Sequence, residues 1–301
     1  MRSLFGLEYR ADGKPRSAWK EDPILKLVYF GSDVFLPCFD FFLKQHEILA
    51  LYTYHHDEDY MVEEGITRKA GAAGIPVHYE SIGAQEIRSF FLKEGCQLIY
   101  SAEYDRIIPV PEDLPCFRGV NLHSSLLPEG RSYYPIEAAM DRGLSRTGIT
   151  MHALAPSVDS GAILAQRELE ILPEMDSIDV YLGLSALARD MTEEVCRDFE
   201  AAWQNARPQG ESREYWKRPI SGHLTLTHQL SRGEAMEMFR RYNSLTQVRL
   251  SGRVYYVQAM NTGTASLPVP EWPLRVNFWL YALRDGHVRL AVLPKKRADR
   301  K

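Results

Sequence analysis

The sequence lacks long hydrophobic runs and closely spaced cysteines. Its 301 residues contain four cysteines, Cys38, Cys96, Cys116 and Cys196, and no two of them form a Cys-x-x-Cys pair. Such wide spacing argues against a zinc cage and against a disulfide framework. No apolar segment reaches the ~20 residues that a membrane-spanning helix needs. We therefore expect no metal and no membrane partner.

The N-terminal segment lacks the apolar centre of a signal peptide. Residues 1–23 are polar and carry charges of both signs. A secretory signal would need a continuous apolar stretch between a basic start and a small-residue cleavage site. The segment predicts a leader arm on a cytoplasmic protein.

Nucleotide-binding fingerprints are also missing. The first apolar run, Ile24 to Phe30, leads into Gly31-Ser32-Asp33, with no Gly-x-Gly-x-x-Gly. No phosphate-binding loop of the Gly-x-x-x-x-Gly-Lys type occurs either. Because these motifs bring backbone amides close to phosphates, their absence argues against a dinucleotide-binding domain.

Charge is unevenly distributed along the chain. The net charge is -4, yet residues 213–301 hold 16 Lys and Arg against 6 Asp and Glu, a net of +10. The remaining residues hold 20 basic and 34 acidic side chains, a net of -14. The length and this asymmetry predict two domains. The basic part could face an anionic substrate or nucleic acid, or it could dock on the acidic part.

Strand and helix patterns alternate over the first two thirds of the chain. Apolar or β-branched runs at 24–30, 48–54, 97–101 and 147–152 predict strands, and 177–203 predicts a long helix. Such alternation predicts an α/β fold with a Rossmann-like, mostly parallel sheet and helices on both faces. In such sheets the ligand binds beyond the carboxyl ends of the strands.

One segment carries polar groups at such a strand end. In Val120-Asn121-Leu122-His123, the amide and the imidazole alternate with apolar residues, and a loop rich in Pro, Gly and Ser follows. Loops held by a rigid scaffold often carry catalytic groups. The structural alternative is an asparagine that caps the loop and a histidine that is hydrogen-bonded in the interior.

The sequence resembles the folate-dependent formyltransferases. The resemblance rests on Asn-x-His-x-Ser-x-x-Pro, followed by Asp-x-Gly some thirty to forty residues later; here these are Asn121, His123, Ser125, Pro128, Asp159 and Gly161. It extends from about Ile24 to Phe199. The part after Tyr215 is similar, more weakly, to the small β-barrel domain of some members. Ser124 departs from the proline that many members have there.

The resemblance implies a division of the chain. We expect a leader arm at 1–23, a catalytic domain at 24–204, a linker at 205–212 and a small, basic, barrel-like domain at 213–301. It also implies transfer of a formyl group from 10-formyltetrahydrofolate to an amine.

The resemblance further implies roles for particular residues. Asn121, His123 and Asp159 would be catalytic, with hydrogen bonds to the developing oxyanion and removal of the amine proton as their tasks. Asp159 could otherwise be a simple turn residue before Gly161. The remaining positions would bind the folate or orient the site, and their alternatives are a strand end and a loop hydroxyl; they are Tyr104, Arg106, Ile107, Ile108, Ser125 and Gly161.

Three kinds of acceptor remain open. The acidic stretch His55–Tyr60 resembles enzymes that formylate nucleotide-linked amino sugars, rather than the long basic loop of methionyl-tRNA formyltransferases. We expect a small, anionic or nucleotide-linked amine, with a secondary-metabolite amine as a close alternative. The basic C-terminal part leaves nucleic acid open. Rival functions are hydrolysis of formyltetrahydrofolate and non-catalytic binding of folate or RNA. A homodimer is compatible with the sequence.

Overall fold

The fold is built from two β-sheets. The computed structural model describes residues 24–54, 65–131, 133–211, 215–216, 224–263 and 276–294. The acidic stretch at residues 55–60, the predicted leader arm at 1–23 and residues 295–301 lie outside these residues. The larger sheet consists of β1 (Lys26–Gly31), β2 (Glu47–Tyr52), β3 (Val77–His78), β4 (Leu98–Ala102), β5 (Gly119–His123), β6 (Arg146–Ala153) and β7 (Ile163–Glu170).

The larger sheet is mostly parallel, as the alternating pattern predicted. Its strand order is β3-β2-β1-β4-β5-β6-β7. The first five of these strands run parallel, whereas β6 and β7 form an antiparallel hairpin beside β5. Because β6 runs antiparallel to β5, the loop after β6 begins beside the amino end of β5. That loop returns along β5, and its Asp159 comes within 3.6 Å of His123 at the carboxyl end.

Helices cover both faces of the larger sheet. The helices are α1 (Leu36–Gln45), α2 (Gly65–Ala72), α3 (Ala84–Lys93), α4 (Pro135–Asp141), α5 (Ser177–Arg197) and α6 (Phe199–Gln204). Side chains alternate between the faces along each strand. In β1, Leu27 and Tyr29 pack with α1, α2, α4 and α5, and Val28 and Phe30 pack with α3. The strands β1 and β4 are buried on both faces, which explains their nearly continuous apolar sequences.

The predicted helix at 177–203 is two helices, and the prediction of one was wrong. Asp198 interrupts it with φ −146° and ψ 69°, and its carboxylate accepts a hydrogen bond from the Ala201 amide (3.2 Å). An aspartate that caps the next turn offers the backbone an alternative to continued helix. Asp176 caps the start of α5, where its side chain and that of Asp179 each accept from the other's backbone amide.

The C-terminal part forms the second sheet. It contains β8 (Thr225–Leu226), α7 (Arg232–Tyr242), β9 (Gln247–Leu250), β10 (Arg253–Asn261), β11 (Asn277–Leu283) and β12 (Gly286–Pro294), with sheet order β11-β12-β10-β9-β8. All pairs are antiparallel except β8 with β9. The Tyr281 hydroxyl in β11 donates to the Leu226 carbonyl in β8 (3.3 Å), so the two outer strands curl towards each other. This curl agrees with the predicted barrel-like form.

The described part of the connector between the sheets, residues 205–211 and 215–216, lies against the larger sheet. The backbones of Arg207 and Ile163 exchange two hydrogen bonds (2.7 and 2.9 Å), and the Trp216 amide donates to the Arg131 carbonyl (3.1 Å). A free linker would have few contacts of this kind. The proposed domain limits stay predictions, but the connector is packed on the first domain rather than extended from it.

Glu137 is a buried carboxyl group in α4. Its side chain is 3% exposed, and its Oε2 atom has no hydrogen-bond partner among the described residues. Burial raises the pKa of Glu137 to about 7, and the neighbouring carboxylates of Glu103 and Asp141 add to the effect. The native state therefore keeps this proton to a higher pH than the unfolded chain does.

We predict that Glu137 makes the protein less stable as the pH rises. Because the pKa is raised on folding, native protein binds more protons than unfolded protein between about pH 4.5 and 7, so stability falls across that range. In Glu137→Gln this component, roughly 2–3 kcal/mol, should be absent. Urea unfolding at pH 5 and pH 8 measures it. Glu112→Gln, at an exposed position, is the control, and an unchanged pH dependence in Glu137→Gln would contradict the prediction.

Candidate active site

Strand register brings four polar side chains together. In the antiparallel pair of β5 and β6, Asn121 lies opposite His152, and His123 lies opposite Thr150. Residues opposite each other in such a pair project from the same face. Leu122, which lies between Asn121 and His123 in the sequence, packs in the apolar core on the other face of the sheet. The period-two pattern thus places the polar groups on one side of the sheet, at the carboxyl end of β5.

His123 is nearly enclosed, with 7% of its surface exposed. Its Nε2 atom donates to the Gly130 carbonyl (2.7 Å), which leaves Nδ1 towards Asp159, whose Oδ2 atom is 3.6 Å away. Burial lowers the pKa of His123, and the Asp159 carboxylate and the Gly130 carbonyl oppose that shift. The neutral imidazole is therefore favoured, with the Nδ1 lone pair available as a base.

Asn121 is oriented by a second histidine, His152. The Asn121 Nδ2 atom lies 3.3 Å from His152 Nε2, and His152 Nδ1 donates to the Ala153 carbonyl (2.9 Å). Because the proton sits on Nδ1, Nε2 can accept one N–H of the Asn121 amide. The other N–H remains for a group in the cleft. His152 was not among the predicted site residues. The signal that could have identified it is the alternation of apolar Met151 and polar His152 at the end of the strand pattern at 147–152.

Asp159 lies in the turn between β6 and β7 and faces both histidines. Its Oδ1 atom is 3.6 Å from His152 Nε2, and its Oδ2 atom is equally far from His123 Nδ1. Asp159 adopts φ +51°, a left-handed conformation that is rare outside glycine. Two residues on, a Cβ on Gly161 would stand 1.8 Å from the Ala153 carbonyl oxygen. The Asp-x-Gly pattern is thus a tight turn that presents the carboxylate.

A cleft opens beside these groups, and most of the predicted binding residues line it. Tyr104, Arg106, Ile107 and Ile108 lie on its wall together with the three predicted catalytic residues. Ile107 is 69% exposed, whereas Ile108 is buried. The Arg106 guanidinium donates to the Tyr79 carbonyl. Contact of these side chains with folate stays a prediction.

Ser125 and Gly161, in contrast, support the loops behind the wall. The Ser125 hydroxyl donates to the Glu129 carbonyl (2.6 Å), and the Ser125 carbonyl accepts from the Thr150 hydroxyl (2.6 Å). Gly161 lies against the backbone of β6. The structure places neither on the cleft wall, and their predicted role in cofactor binding remains untested.

The described wall of the cleft is acidic near the centre. It carries the carboxylates of Glu103, Asp105 and Asp159 and the guanidinium of Arg106. Burial raises the pKa of Glu103, and Asp159 raises it further, while the Ser124 hydroxyl lowers it. Glu103 was not predicted as a site residue. Within the described ranges, no three His, Cys, Asp or Glu side chains are grouped so that they could hold a metal ion.

Removal of the His152 imidazole should weaken the orientation of Asn121. We predict that His152→Leu lowers the rate of the chemical step about 5- to 10-fold, as expected for the loss of one hydrogen bond of about 1 kcal/mol. Binding of the formyl donor should be unchanged. Single-turnover kinetics with saturating donor measures the first quantity, and equilibrium titration measures the second. A full-rate His152→Leu variant would show that Asn121 is held by other contacts.

The geometry defines an Asn–His–Asp centre at the edge of a mostly parallel α/β sheet. Residues 60–191 match the formyl transferase family. The matched range contains Asn121, His123 and Asp159. In the part of the chain that the structure describes, no helix is long and apolar enough to cross a membrane.

The sequence relatives include methionyl-tRNA formyltransferases. The enzyme of Deinococcus radiodurans is 27% identical over 198 residues, which cover 62% of this chain and 61% of that protein. The matched segment thus spans about three fifths of this curated relative.

Two solved structures share the fold of this chain. HypX from Aquifex aeolicus, in complex with tetrahydrofolic acid, superposes with a TM-score of 0.63 at 13% identity, over 91% of this chain and 46% of that one. WlaRD, a sugar 3N-formyl transferase solved in the presence of dTDP and 5-N-formyl-THF, has a TM-score of 0.53 at 14% identity, over 91% of this chain and 99% of that one. At these identities the likeness is one of fold.

Proposed function

We propose that this protein transfers the formyl group of 10-formyltetrahydrofolate to a primary amine of a small acceptor. The observation that carries the proposal is the convergence of Asn121, His123 and Asp159 on one cleft, with Asp159 Oδ2 3.6 Å from His123 Nδ1. Acyl transfer to an amine needs a donor for the oxyanion and an acceptor for the amine proton. These three side chains supply both.

The residues divide the reaction between them. The acceptor nitrogen forms a bond to the formyl carbon, and the carbonyl electrons move to the oxygen, where the free N–H of Asn121 stabilises the negative charge. Asp159, with the neutral His123 beside it, takes the proton from the amine. That proton then reaches the N10 nitrogen as its bond to carbon breaks. The products are a formamide and tetrahydrofolate, so atoms and charge balance.

The wall of the cleft fits a planar folate ring. Ile107 (69% exposed) and Val158 (49% exposed) present apolar surface to the cleft, next to the Tyr104 side chain. Apolar surface with a few polar groups is typical of small-molecule sites. We assign the ring to this end and the acceptor to the side of Tyr133, Tyr134 and Tyr215.

A nucleotide-linked amino sugar is the acceptor we favour, and a secondary-metabolite amine is close behind. The fold shared with WlaRD, which was solved with dTDP, supports the first. The acidic residues Glu103, Asp105 and Asp159 on the described wall repel phosphate, so the diphosphate of such an acceptor must lie away from them.

Initiator methionyl-tRNA is the second candidate. The methionyl-tRNA formyltransferase reported above supports it, and so does the net charge of +10 on residues 213–301. A basic surface that binds a phosphate backbone loses affinity steeply with salt. A gel shift at physiological salt with methionyl-tRNA tests this candidate, and absence of binding would count against it.

An acceptor screen tests the function as a whole. The full chain is incubated with 10-formyltetrahydrofolate and nucleotide-linked amino sugars, other primary amines or methionyl-tRNA, and formylated product is detected by mass spectrometry. We expect product with a small amine. Rapid release of formate without any acceptor would identify a hydrolase instead. Binding of folate with neither outcome would indicate a non-catalytic protein.

A further inference from the structure

The connector places one glutamine against both loops of the candidate active site. Gln209 Nε2 donates to the carbonyls of Asp159 (2.9 Å) and Gly161 (2.7 Å), and Gln209 Oε1 accepts from Arg131 Nε (3.2 Å) and Nη2 (2.7 Å). A primary amide has two N–H donors and two lone pairs on oxygen. Gln209 thus uses its full hydrogen-bonding capacity on the two loops.

One of these loops is the turn that presents the catalytic carboxylate. Asp159 has a left-handed backbone, and Gly161 is pressed against the Ala153 carbonyl. A turn in a sparsely populated conformation persists only when its surroundings hold it. The Gln209 amide holds the carbonyls of the residues on both sides of Ser160. It therefore restrains the peptide group that directly follows Asp159 and the one that follows Gly161, and with them the turn that carries the Asp159 side chain.

The other loop orients His123. Gly130, whose carbonyl accepts from His123 Nε2, directly precedes Arg131, the residue that Gln209 contacts. Trp216, further along the connector, donates its amide to the Arg131 carbonyl and packs its ring against Gly130. A Cβ on Gly130 would stand 2.9 Å from that ring, so the contact is close. The connector therefore touches the loop at two places.

We propose that Gln209 is a positioning residue for the formyl transfer proposed above. Its side-chain amide joins the Asp159 turn to the loop that holds His123, and so it sets the separation of the carboxylate and the imidazole. Through Gln209, the segment leading to the second sheet completes the reaction centre of the first. This inference rests on the proposed function, but the hydrogen-bond link can be measured without it.

Two variants separate positioning from general stability. In Gln209→Leu the size of the side chain is retained and all four hydrogen bonds are lost, so kcat should fall roughly 10- to 100-fold, as for a small misplacement of a catalytic group. The KM for the formyl donor should not change. Asn205→Leu is the matched control, because Asn205 in the same connector donates only to the Ala201 carbonyl (2.8 Å) at an exposed position. Equal losses of kcat in the two variants would overturn the proposal.

A double-mutant cycle shows whether Gln209 acts through Asp159. In an Asp159→Ala background, Gln209→Leu should cause almost no further loss of kcat, because the group that it positions is gone; coupling of this kind is expected for residues in one network. If Gln209→Leu lowers the rate by the same factor in both backgrounds, its effect is not on Asp159, and the inference is wrong.

Hydrogen exchange provides a readout that is independent of catalysis. Peptides that cover residues 156–162 and 129–131 should exchange faster in Gln209→Leu than in wild type and in Asn205→Leu, because local opening is easier when few contacts hold a segment. If the wild-type protein had no transfer activity but Gln209→Leu still showed this faster exchange, the proposed function would be refuted and the hydrogen-bond link would be retained. Unchanged exchange in Gln209→Leu would refute the link.

Discussion

Asn121→Ala is expected to lower the rate of formyl transfer by about 100- to 1000-fold, which corresponds to about 3–4 kcal/mol of barrier. His152 accepts one N–H of the Asn121 amide, so the second N–H is available to donate to the oxyanion. A donor held in place before the reaction begins contributes more than one that must be reoriented, because its orientation has already been set by folding.

The effect should be confined to the chemical step. Single-turnover rates with saturating donor and acceptor measure it, and binding of the formyl donor to Asn121→Ala should match wild type. Asn205→Ala, which removes an exposed amide that does not line the cleft, serves as the control. The loss should exceed that of His152→Leu by at least tenfold, because the second variant keeps the donor and loses only its orientation. Wild-type turnover in Asn121→Ala would rule out the proposed mechanism.

Gly161→Ala is expected to abolish most of the activity without any change of a polar group. The new Cβ would stand 1.8 Å from the Ala153 carbonyl oxygen. This oxygen belongs to the backbone of the last residue of β6, so it cannot rotate away as the end of a side chain could. The turn must therefore move, and Asp159 must move with it. Overpacking of this kind costs typically 1–3 kcal/mol of stability, and a displacement of about 1 Å lowers a rate by roughly 100-fold.

Gly210→Ala is the matched control for this experiment. Gly210 lies in the connector, next to the residue that contacts the Asp159 turn, yet a Cβ there would meet no atom of the described residues within 4 Å. Thermal unfolding and kcat of both variants can be compared directly. Gly161→Ala with wild-type kcat would mean that the turn adapts while the carboxylate stays in place. Equal losses in both variants would mean that the connector tolerates no substitution at all.

The fold class could be predicted from the sequence because the local hydrophobic pattern agrees with the burial of the strands. Strands that are apolar along their whole length, such as β1 and β4, indicate a sheet covered on both faces. The interruption at Asp198 was missed, because one capping aspartate in a helical pattern carries a weak local signal compared with the apolar repeat on either side.

The residues of the candidate site were predicted only in part. Asn121, His123 and Asp159 belong to two short motifs that lie close together in the chain, and the cleft contains all three. His152 escaped notice because a histidine in a strand has many structural roles, and its significance comes from the antiparallel register that places it opposite Asn121. The sequence around Gln209 did not indicate a role at the site, because Gln209 lies in a polar segment that predicts a linker.

By itself, the sequence of this protein determined the order of strands and helices, the mostly parallel sheet and the residue types of the candidate site. Periodicity and short motifs are local properties of the sequence, so they can be identified without knowledge of the tertiary contacts. Tertiary structure alone decided that β6 and β7 turn back beside β5, which residues orient Asn121, and that the connector returns to hold Asp159. These contacts join residues about 30 to 80 positions apart in the chain. Their energies depend on distances of a few tenths of an ångström, which composition and spacing do not encode.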